Sequence, residues 1–212
     1  MNEPASLHPA ALPAVEAALR TALGEHLRIV SVDPVAGGSI HTALRLEDAG
    51  GARFFAKLAP AAQAPMFVAE ADGLAAIAAS ASLRTPQVIA RGANEAHAFL
   101  VLEWLELQPL TRAADGARFA EALVALHRDV GAHFGWPRDN FIGRTPQANA
   151  EGDNWARFFV EQRLRPQFER ARAHGFDIEL QRQADRLLDR VPALFLDYRP
   201  PESLLHGDLW HG

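Results

Sequence analysis

The stretch Leu204-Leu205-His206-Gly207-Asp208-Leu209-Trp210 carries the strongest chemical signal in the chain and decides how the rest of it is interpreted. Its apolar lead-in resembles the end of a strand, and an acidic residue follows one position after a His-Gly pair. A carboxylate held within hydrogen-bond reach of a hydroxyl group can act as a general base. Asp208 is therefore the predicted catalytic residue. Because Gly and Asp also favour plain surface turns, the prediction depends on finding the other parts of a site.

The composition predicts a folded protein of one large domain or two small lobes. The chain has 212 residues, of which 49% are hydrophobic and 22% charged. A net charge of −5 argues against nucleic acid as a general partner. The absence of cysteine excludes disulfides, thiolate metal sites and cysteine nucleophiles. Residues 1–10 lack the basic and apolar parts of a signal peptide, and no apolar run approaches the roughly 20 residues that span a bilayer.

These properties predict a cytoplasmic protein with neither a membrane nor a nucleic-acid partner. Nothing in the sequence predicts an oligomeric state.

Hydrophobic periodicity predicts an α+β fold with most strands in the first half. The Pro13–Gly24 segment predicts a helix with Pro13 in its first turn and an apolar stripe of Val15, Leu19, Ala22 and Leu23. A second helix is predicted from about 65 to 77. Strands are predicted over residues 27–36, 40–46, 53–58, 87–91 and 98–102, with turns at 48–51, which makes a hairpin, and at 92–95.

The second half is predicted to be mainly helical. Helices are expected over residues 112–129, 154–174 and 177–190, with an irregular loop at 135–143. We therefore predict a lobe of residues 1–103, built on a five-stranded antiparallel sheet plus a helix, and a helical lobe of residues 104–212.

Lys57 and Glu70 are the predicted phosphate-binding pair. Alternation along the strand places Lys57 on the same face as Arg53 and Phe55, and Glu70 lies on the following helix. Each residue alone fits a solvated surface. A strand lysine paired with a glutamate of the next helix is, however, how kinases hold the α- and β-phosphates of ATP.

Two backbone segments are candidate nucleotide contacts. Gly37-Gly38-Ser39 lies between two predicted strands and not before a helix, which excludes Rossmann and Walker loops. It fits either a glycine-rich loop above phosphates or an ordinary hairpin turn. The backbone of Glu103, Trp104 and Leu105, where the halves join, can offer the acceptor and donor that adenine needs; a plain buried strand end is the alternative.

Other chemistries have weaker support. Nine histidines show neither an HExxH motif nor metal-ligand spacing, which favours structural or surface roles. No Gly-x-Ser-x-Gly motif is present, which argues against a serine hydrolase. Trp210 fits either a sugar-stacking surface or a core position.

With these residues in their order, the chain resembles the fructosamine/ketosamine-3-kinases, relatives of aminoglycoside and choline phosphotransferases with a protein-kinase-like two-lobed fold. The resemblance extends over nearly the whole chain. Its stretches are residues 37–40, 54–57, 69–74, 100–105, 126–128, 134–147, 155–166 and 204–210. The most family-specific are Phe134–Gln147 and His206-Gly207-Asp208-Leu209-Trp210.

The resemblance implies a role for each candidate residue. Asp208 would be the base toward the sugar 3-hydroxyl, with His206 and Trp210 binding substrate. Lys57, oriented by Glu70, would hold the ATP phosphates. The remaining nucleotide contacts would be Gly37, Gly38, Ser39, Glu103, Trp104 and Leu105. The implied substrates are ATP and free or protein-bound ketosamines such as fructosamine and ribulosamine, and the implied role is deglycation.

The sequence departs from the family pattern in two ways. Some members carry a cysteine near the glycine-rich loop, and here there is none. The family's Mg²⁺ ligands, an Asn and an Asp, are expected beyond Gly212, so the helical lobe would end at the catalytic loop and the 212-residue chain alone is expected to be inactive. Two alternatives stay open: a kinase for an aminoglycoside, choline or another small alcohol, and a non-catalytic nucleotide- or sugar-binding module.

Overall fold

The computed structural model describes residues 8–36 and 40–209, with side chains from residue 10 onward. Cα packing divides the chain into two compact units, the first ending at Leu126 and the second beginning at His127. The lobe boundary predicted after residue 103 stays a prediction.

The first unit is built on a five-stranded antiparallel sheet, as predicted. Its strands are β1 (Ile29–Pro34), β2 (Thr42–Asp48), β3 (Arg53–Pro60), β4 (Val88–Ala93) and β5 (His97–Glu103), in the order β1-β2-β3-β5-β4. The predicted turn at 48–51 joins β2 and β3 into a hairpin. In it the carboxylate of Asp48 accepts hydrogen bonds from the N–H groups of Gly50 and Ala52. β3 is therefore a central strand, paired with β2 on one side and β5 on the other.

Helices cover both faces of this sheet. They are α1 (His8–Leu23) and α2 (Ala64–Ala79), and α3 (Ala113–His127) follows the sheet in the chain. One core cluster joins the buried side chains of α1 to Leu44, Leu46, Phe54, Ala56, Leu58, Phe99 and Val101. The opposite face packs Ala59, Ala98, Leu100 and Leu102 against Phe67 and Ala71 of α2. The alternation of β3 thus holds Phe54, Ala56 and Leu58 against α1 and leaves Phe55 and Lys57 on the α2 side.

Two predictions in the first unit are wrong in detail. α1 begins at least five residues before Pro13, which lies inside the helix. Burial of Ala11, Val15 and Leu19, spaced by four, extends the apolar stripe toward the N-terminus, whereas Ala22 and Leu23 are exposed. The predicted turn at 92–95 begins too early, since Gly92 belongs to β4. A Cβ there would lie 2.7 Å from the Phe99 ring, so this glycine makes room for a side chain on the neighbouring strand.

The second unit contains short helices and a small hairpin. Its helices are α4 (Trp155–Phe159), α5 (Arg165–Ala173) and α6 (Ile178–Arg190), and a π-helical turn over Val160–Leu164 joins α4 to α5. The single helix predicted over 154–174 is therefore interrupted, because a π turn shifts the backbone hydrogen bonds without changing the side-chain pattern. Part of the loop predicted at 135–143 pairs as β6 (Asn140–Ile142) with β7 (Thr145–Gln147).

The core of this unit is small. Val160, Leu188 and Val191 form one buried cluster, and Phe134, Trp155 and Phe158 form an aromatic group with ring centroids 5.2–6.5 Å apart. Asn154 caps α4 by accepting a hydrogen bond from the N–H of Arg157.

Candidate nucleotide and substrate site

Lys57 and Glu70 are in direct contact. The Nζ atom of Lys57 on β3 lies 2.6 Å from Oε1 of Glu70 on α2, and each side chain is 28% exposed. The backbone of Lys57 pairs with Ala43 of β2 and Leu100 of β5, so the lysine stands at the centre of the sheet. The sheet and α2 therefore fix both ends of the ion pair, and a partly exposed cation remains at its surface.

The composition of the chain contains a further signal for Lys57. The chain has 21 Lys and Arg residues. Lys57 is the only lysine, and the other twenty are arginines. Ammonium and guanidinium groups are not interchangeable, because the ammonium is a compact point charge whereas guanidinium is a planar fork. In a chain that otherwise uses arginine, a single lysine on a central strand marks a position that favours the ammonium.

The connector after β5 is held by polar contacts. The backbone N–H of Glu103 donates to the carbonyl of Gln87 at 2.8 Å, and its carboxylate accepts from Arg84 and from the N–H of Gln87. The N–H of Glu103 is therefore already engaged within the protein. No backbone hydrogen bond joins Trp104 or Leu105 to another described residue.

Glu106 fixes the side chain of Trp104. Its Oε1 accepts a hydrogen bond from the Trp104 indole at 2.9 Å and from Arg53 Nη1 at 3.1 Å. The connector is thereby fastened to the start of β3, the same strand that carries Lys57.

The glycine-rich segment Gly37-Gly38-Ser39 lies outside the described residues. Its surroundings agree with a strand-to-strand position, since β1 ends at Pro34 and β2 begins at Thr42. The N–H of Val35 donates to the carbonyl of Ala43 at 2.9 Å, so pairing between the two strands continues up to this segment. Its predicted role in nucleotide binding stays a prediction.

Asp208 lies in an exposed segment of the second unit with a paired lead-in. Ser203 bridges Val130 in an antiparallel arrangement. The N–H of Gly131 donates to the Glu202 carbonyl and that of Leu204 donates to the Asp129 carbonyl, both at 2.8 Å. Beyond this pairing, the N–H of Asp208 donates to Nδ1 of His206 at 3.3 Å. In this contact the Nδ1 atom of His206 is the acceptor.

Trp210, the second predicted substrate contact, lies outside the described residues. Lys57–Glu70 and Asp208 belong to different units, and their predicted roles stay predictions.

Two further findings concern the described residues. Within residues 8–36 and 40–209 there is no group of three or more His, Cys, Asp or Glu side chains that could hold a metal ion. Among the helices in the same part of the chain, none is long and apolar enough to cross a membrane.

The antiparallel sheet, the flanking helices and the strand lysine paired with a helix glutamate define an α+β protein of the kinase-like class. The family model for fructosamine kinase matches residues 11–212. The chain belongs to the fructosamine kinase family.

Relatives of known sequence and structure agree with this membership. A "Probable ketoamine kinase" of Synechocystis sp. is 40% identical over 190 residues, covering 89% of this chain and 63% of the relative. One of Vibrio cholerae is 33% identical over 201 residues, covering 94% of this chain and 68% of the relative.

The crystal structure of a "Putative fructosamine-3-kinase" from Haemophilus somnus has a TM-score of 0.81 and 28% identity, covering 92% of this chain and 65% of that one. A protein of the same description from Thermobifida fusca has a TM-score of 0.78 and 30% identity, covering 94% and 68%. The chain thus spans about two thirds of the length of these relatives.

Proposed function

We propose that the chain takes part in ATP-dependent phosphorylation of ketosamines, such as fructosamine and ribulosamine, at the sugar 3-hydroxyl, as a cytoplasmic deglycation kinase. The observation that carries the proposal is the 2.6 Å contact between Lys57, the only lysine, and Glu70. An ion pair at this place holds an ammonium group ready for phosphate oxygens. Family membership and the names of the relatives support the same reaction.

In the proposed mechanism Lys57 binds phosphate oxygens of ATP while Glu70 keeps its ammonium in place. The connector backbone binds adenine, and the loop of Gly37, Gly38 and Ser39 covers the phosphates. The sugar 3-hydroxyl attacks the γ-phosphorus, and its oxygen forms the new P–O bond. The bond to the bridging oxygen of ADP breaks, and Asp208 accepts the hydroxyl proton. His206 and Trp210 are proposed to contact the sugar.

The family implies a divalent metal as well as ATP, and a metal would neutralise phosphate charge during transfer. Since the described residues hold no cluster fit for such an ion, no step is assigned to Mg²⁺ here. The resemblance places its ligands after Gly212, so nucleotide binding and turnover are best measured separately.

The single lysine allows a direct test of the nucleotide site. An acyl-phosphate derivative of ATP acylates amines close to the bound phosphates, and Lys57 has the only side-chain amine of the chain. Mass spectrometry should find Lys57 acylated, and excess ATP should suppress the reaction. The α-amine of Met1 serves as an internal measure of non-specific acylation. Glu70→Gln should reduce labelling because it releases the lysine.

Glu169→Gln is the matched control, since Glu169 is an exposed helix glutamate of the second unit. Acylation of Lys57 that ATP does not suppress would contradict the proposed nucleotide site.

The acceptor is tested by turnover. A version of the chain extended through the expected metal-binding segment is incubated with ATP, Mg²⁺ and one acceptor. The acceptors are two ketosamines, fructosyl-lysine and the ribulosamine of lysine, and two other alcohols, kanamycin and choline. Phosphate on a ketosamine supports the proposal. Phosphate on kanamycin or choline alone would move the chain to the alternative small-alcohol kinases.

A further inference from the structure

The family-specific stretch Phe134–Gln147 forms one wall of a cavity that the proposed mechanism does not use. The cavity has a volume of about 440 Å³ and lies wholly within the second unit. Its lining includes Trp136, Arg138 and Asp139 from this stretch, and Asn149 and Glu151 from the segment that follows β7. A cavity of this size is within the range of small-molecule sites.

The lining residue Asn149 is a polar residue that is only 1% exposed. Its Nδ2 donates to the Arg138 carbonyl at 3.1 Å, its backbone N–H donates to Asp139 Oδ1 at 2.9 Å, and its carbonyl accepts from the N–H of Trp136 at 3.0 Å. One buried residue thus ties together three members of the opposite wall. A fully bonded buried polar group of this kind fixes a loop in one conformation.

Arg163 supports Asn149 from the π-helical turn. Its guanidinium donates to Asn149 Oδ1 and, at 2.7 Å, to the Ala148 carbonyl, and it lies 4.6 Å from the centroid of the Phe158 ring. Burial lowers the pKa of Arg163 from its ordinary value. The group nevertheless keeps its charge, because the pKa of arginine starts far above neutral pH. Asn149 and Ala148 are therefore held by a side chain of the π turn, which also contacts α4.

Gly135 lies where the two walls of the cavity come close together. This residue has φ +116°, and an added Cβ would lie 2.6 Å from the Asn149 carbonyl oxygen. An alanine here would strain the backbone and force the segments before and after the hairpin to shift.

The chemistry of the lining selects a cation with a flat apolar face. The lining carries two carboxylates, Asp139 and Glu151, against one guanidinium, Arg138. One oxygen of Asp139 accepts a hydrogen bond from the backbone N–H of Asn149. Glu151 is an exposed residue, so its carboxylate is accessible to a ligand. Trp136 adds an indole, which can stack on the apolar face of a sugar and attract a cation.

We propose that this cavity binds the protonated amine of a ketosamine and the carbons next to it, with Glu151 as the counter-ion and Trp136 as the stacking surface. The assignment rests on the proposed function, and it gives the family-specific stretch a role in substrate recognition. Ketosamines carry a secondary amine that is protonated at neutral pH, and this charge is opposite in sign to the excess carboxylate of the lining.

Calorimetric titration of fructosyl-lysine into the 212-residue chain at neutral pH tests the proposal. Glu151→Gln keeps the shape of the side chain and removes its charge, and it should weaken binding about fivefold to tenfold. Glu169→Gln, the matched control on α5, should leave the affinity unchanged. Fructose, which lacks the amine, should show no dependence on Glu151. Trp136→Leu should weaken both ligands, and circular dichroism verifies that each variant is folded.

The outcomes separate this proposal from the nucleotide site. Absence of fructosyl-lysine binding, or equal affinity in Glu151→Gln and the unchanged chain, would overturn the cavity assignment. Binding of kanamycin that depends on Glu151 while fructosyl-lysine does not bind would assign the cavity to aminoglycosides instead. The ATP-suppressed acylation of Lys57 is measured on the same preparations. If ATP suppresses the acylation of Lys57 but Glu151→Gln does not change the affinity for fructosyl-lysine, only the cavity proposal is contradicted. If ATP does not suppress the acylation, the proposed function itself is contradicted.

Discussion

The two units hold their candidate functional residues in different ways. Among the residues that the structure describes, 26 hydrophobic residues are buried, of which 19 lie up to Leu126 and seven follow it. Exposed large hydrophobic residues show the opposite distribution, with six in the first unit and ten in the described part of the second. The first unit is therefore organised by apolar packing on both faces of a sheet, whereas the second depends more on hydrogen bonds such as those of Asn149.

This difference shows how each functional side chain is positioned. Lys57 stands on a central strand, and the buried Leu100 pairs with it directly, so its place follows from the packed core. Asp208 lies in an exposed stretch whose nearest support is the backbone pairing of residues 202–204 with 129–131. We expect changes to core residues to disturb the nucleotide side of the site, and changes to backbone and polar contacts to disturb the substrate side.

The largest effect is expected at Asp208. In a version of the chain that turns over, Asp208→Asn should lower kcat by about 10²–10⁴-fold, because the amide cannot accept the hydroxyl proton in the transition state. The ATP concentration that half-protects Lys57 from acylation should stay nearly constant, since the base acts on the other substrate. Asp197→Asn, an exposed aspartate in the same unit, is the control. Unchanged kcat in Asp208→Asn would remove this residue from the mechanism.

Two Leu→Ala substitutions, one in the core of each unit, test the difference in apolar packing between the units. Leu100→Ala, in the fully buried cluster beside α2, should lower the free energy of unfolding by about 3–5 kcal/mol through a cavity that the sheet cannot close. Leu188→Ala, in the small cluster of the second unit, should cost about 2–3 kcal/mol, because its exposed surroundings relax more easily.

Denaturant titration followed by circular dichroism measures both changes, and ATP protection of Lys57 from acylation should weaken in Leu100→Ala alone. Equal losses of stability and of protection in the two variants would contradict the difference drawn between the units.

A smaller effect is expected where the second unit relies on backbone geometry. Gly135→Ala should cost about 1–3 kcal/mol, because φ +116° is strained for alanine and its Cβ meets the Asn149 carbonyl. Gly152→Ala is the matched control, since Gly152 bonds to the neighbouring Phe134 and an added Cβ meets nothing within 4 Å. Thermal unfolding compares the two, and fructosyl-lysine affinity should fall in the Gly135 variant. A Gly135→Ala protein as stable as Gly152→Ala would show that the loop relaxes freely.

Much of the first unit could be predicted because its side-chain pattern and its backbone agree. Period-two alternation along β3 correctly separates Phe54 from Lys57, and the turn at 48–51 predicts the β2–β3 hairpin. The contact between Lys57 and Glu70 follows from that alternation and from the order of elements. Engagement of the Glu103 N–H by Gln87 could not be predicted, because it depends on the pairing of β4 with β5.

The second unit was harder to predict because its defining features are in the backbone. The π turn at 160–164 keeps the helical side-chain pattern on both sides, so the sequence indicates one continuous helix. The hydrogen bonds of Asn149 join residues 10 and 14 positions apart through a loop without periodicity. Sequence signals were available all the same: the sole lysine in the first unit, and Gly135 beside Trp136 in the second.

The smallest effect is expected at two exposed ion pairs, one in each unit. The pKa values of their carboxyl groups allow the two units to be compared. Hydrogen bonds from Arg112 and then Arg118 lower the pKa of Asp115 from its ordinary value of 3.8. A hydrogen bond from Arg199 lowers the pKa of Glu202 from 4.5. A folded-state pKa below the unfolded one means that each pair stabilises the protein above the ordinary pKa, and that this contribution is lost as the pH falls through the folded pKa.

Carbon-detected NMR titration of the two carboxyl groups measures both values. Arg112→Gln should move the Asp115 pKa only part of the way back, since Arg118 still donates to the same carboxylate. Arg199→Gln should return the Glu202 pKa most of the way, because no second arginine contacts it in the described residues. Glu202 also accepts the N–H of Gly131 through its carbonyl, next to the lead-in of Asp208. Arg199→Gln should therefore alter the amide chemical shifts of residues 129–131, whereas Arg112→Gln should leave them unchanged. Equal changes of these shifts in both variants would contradict the difference between the two ion pairs.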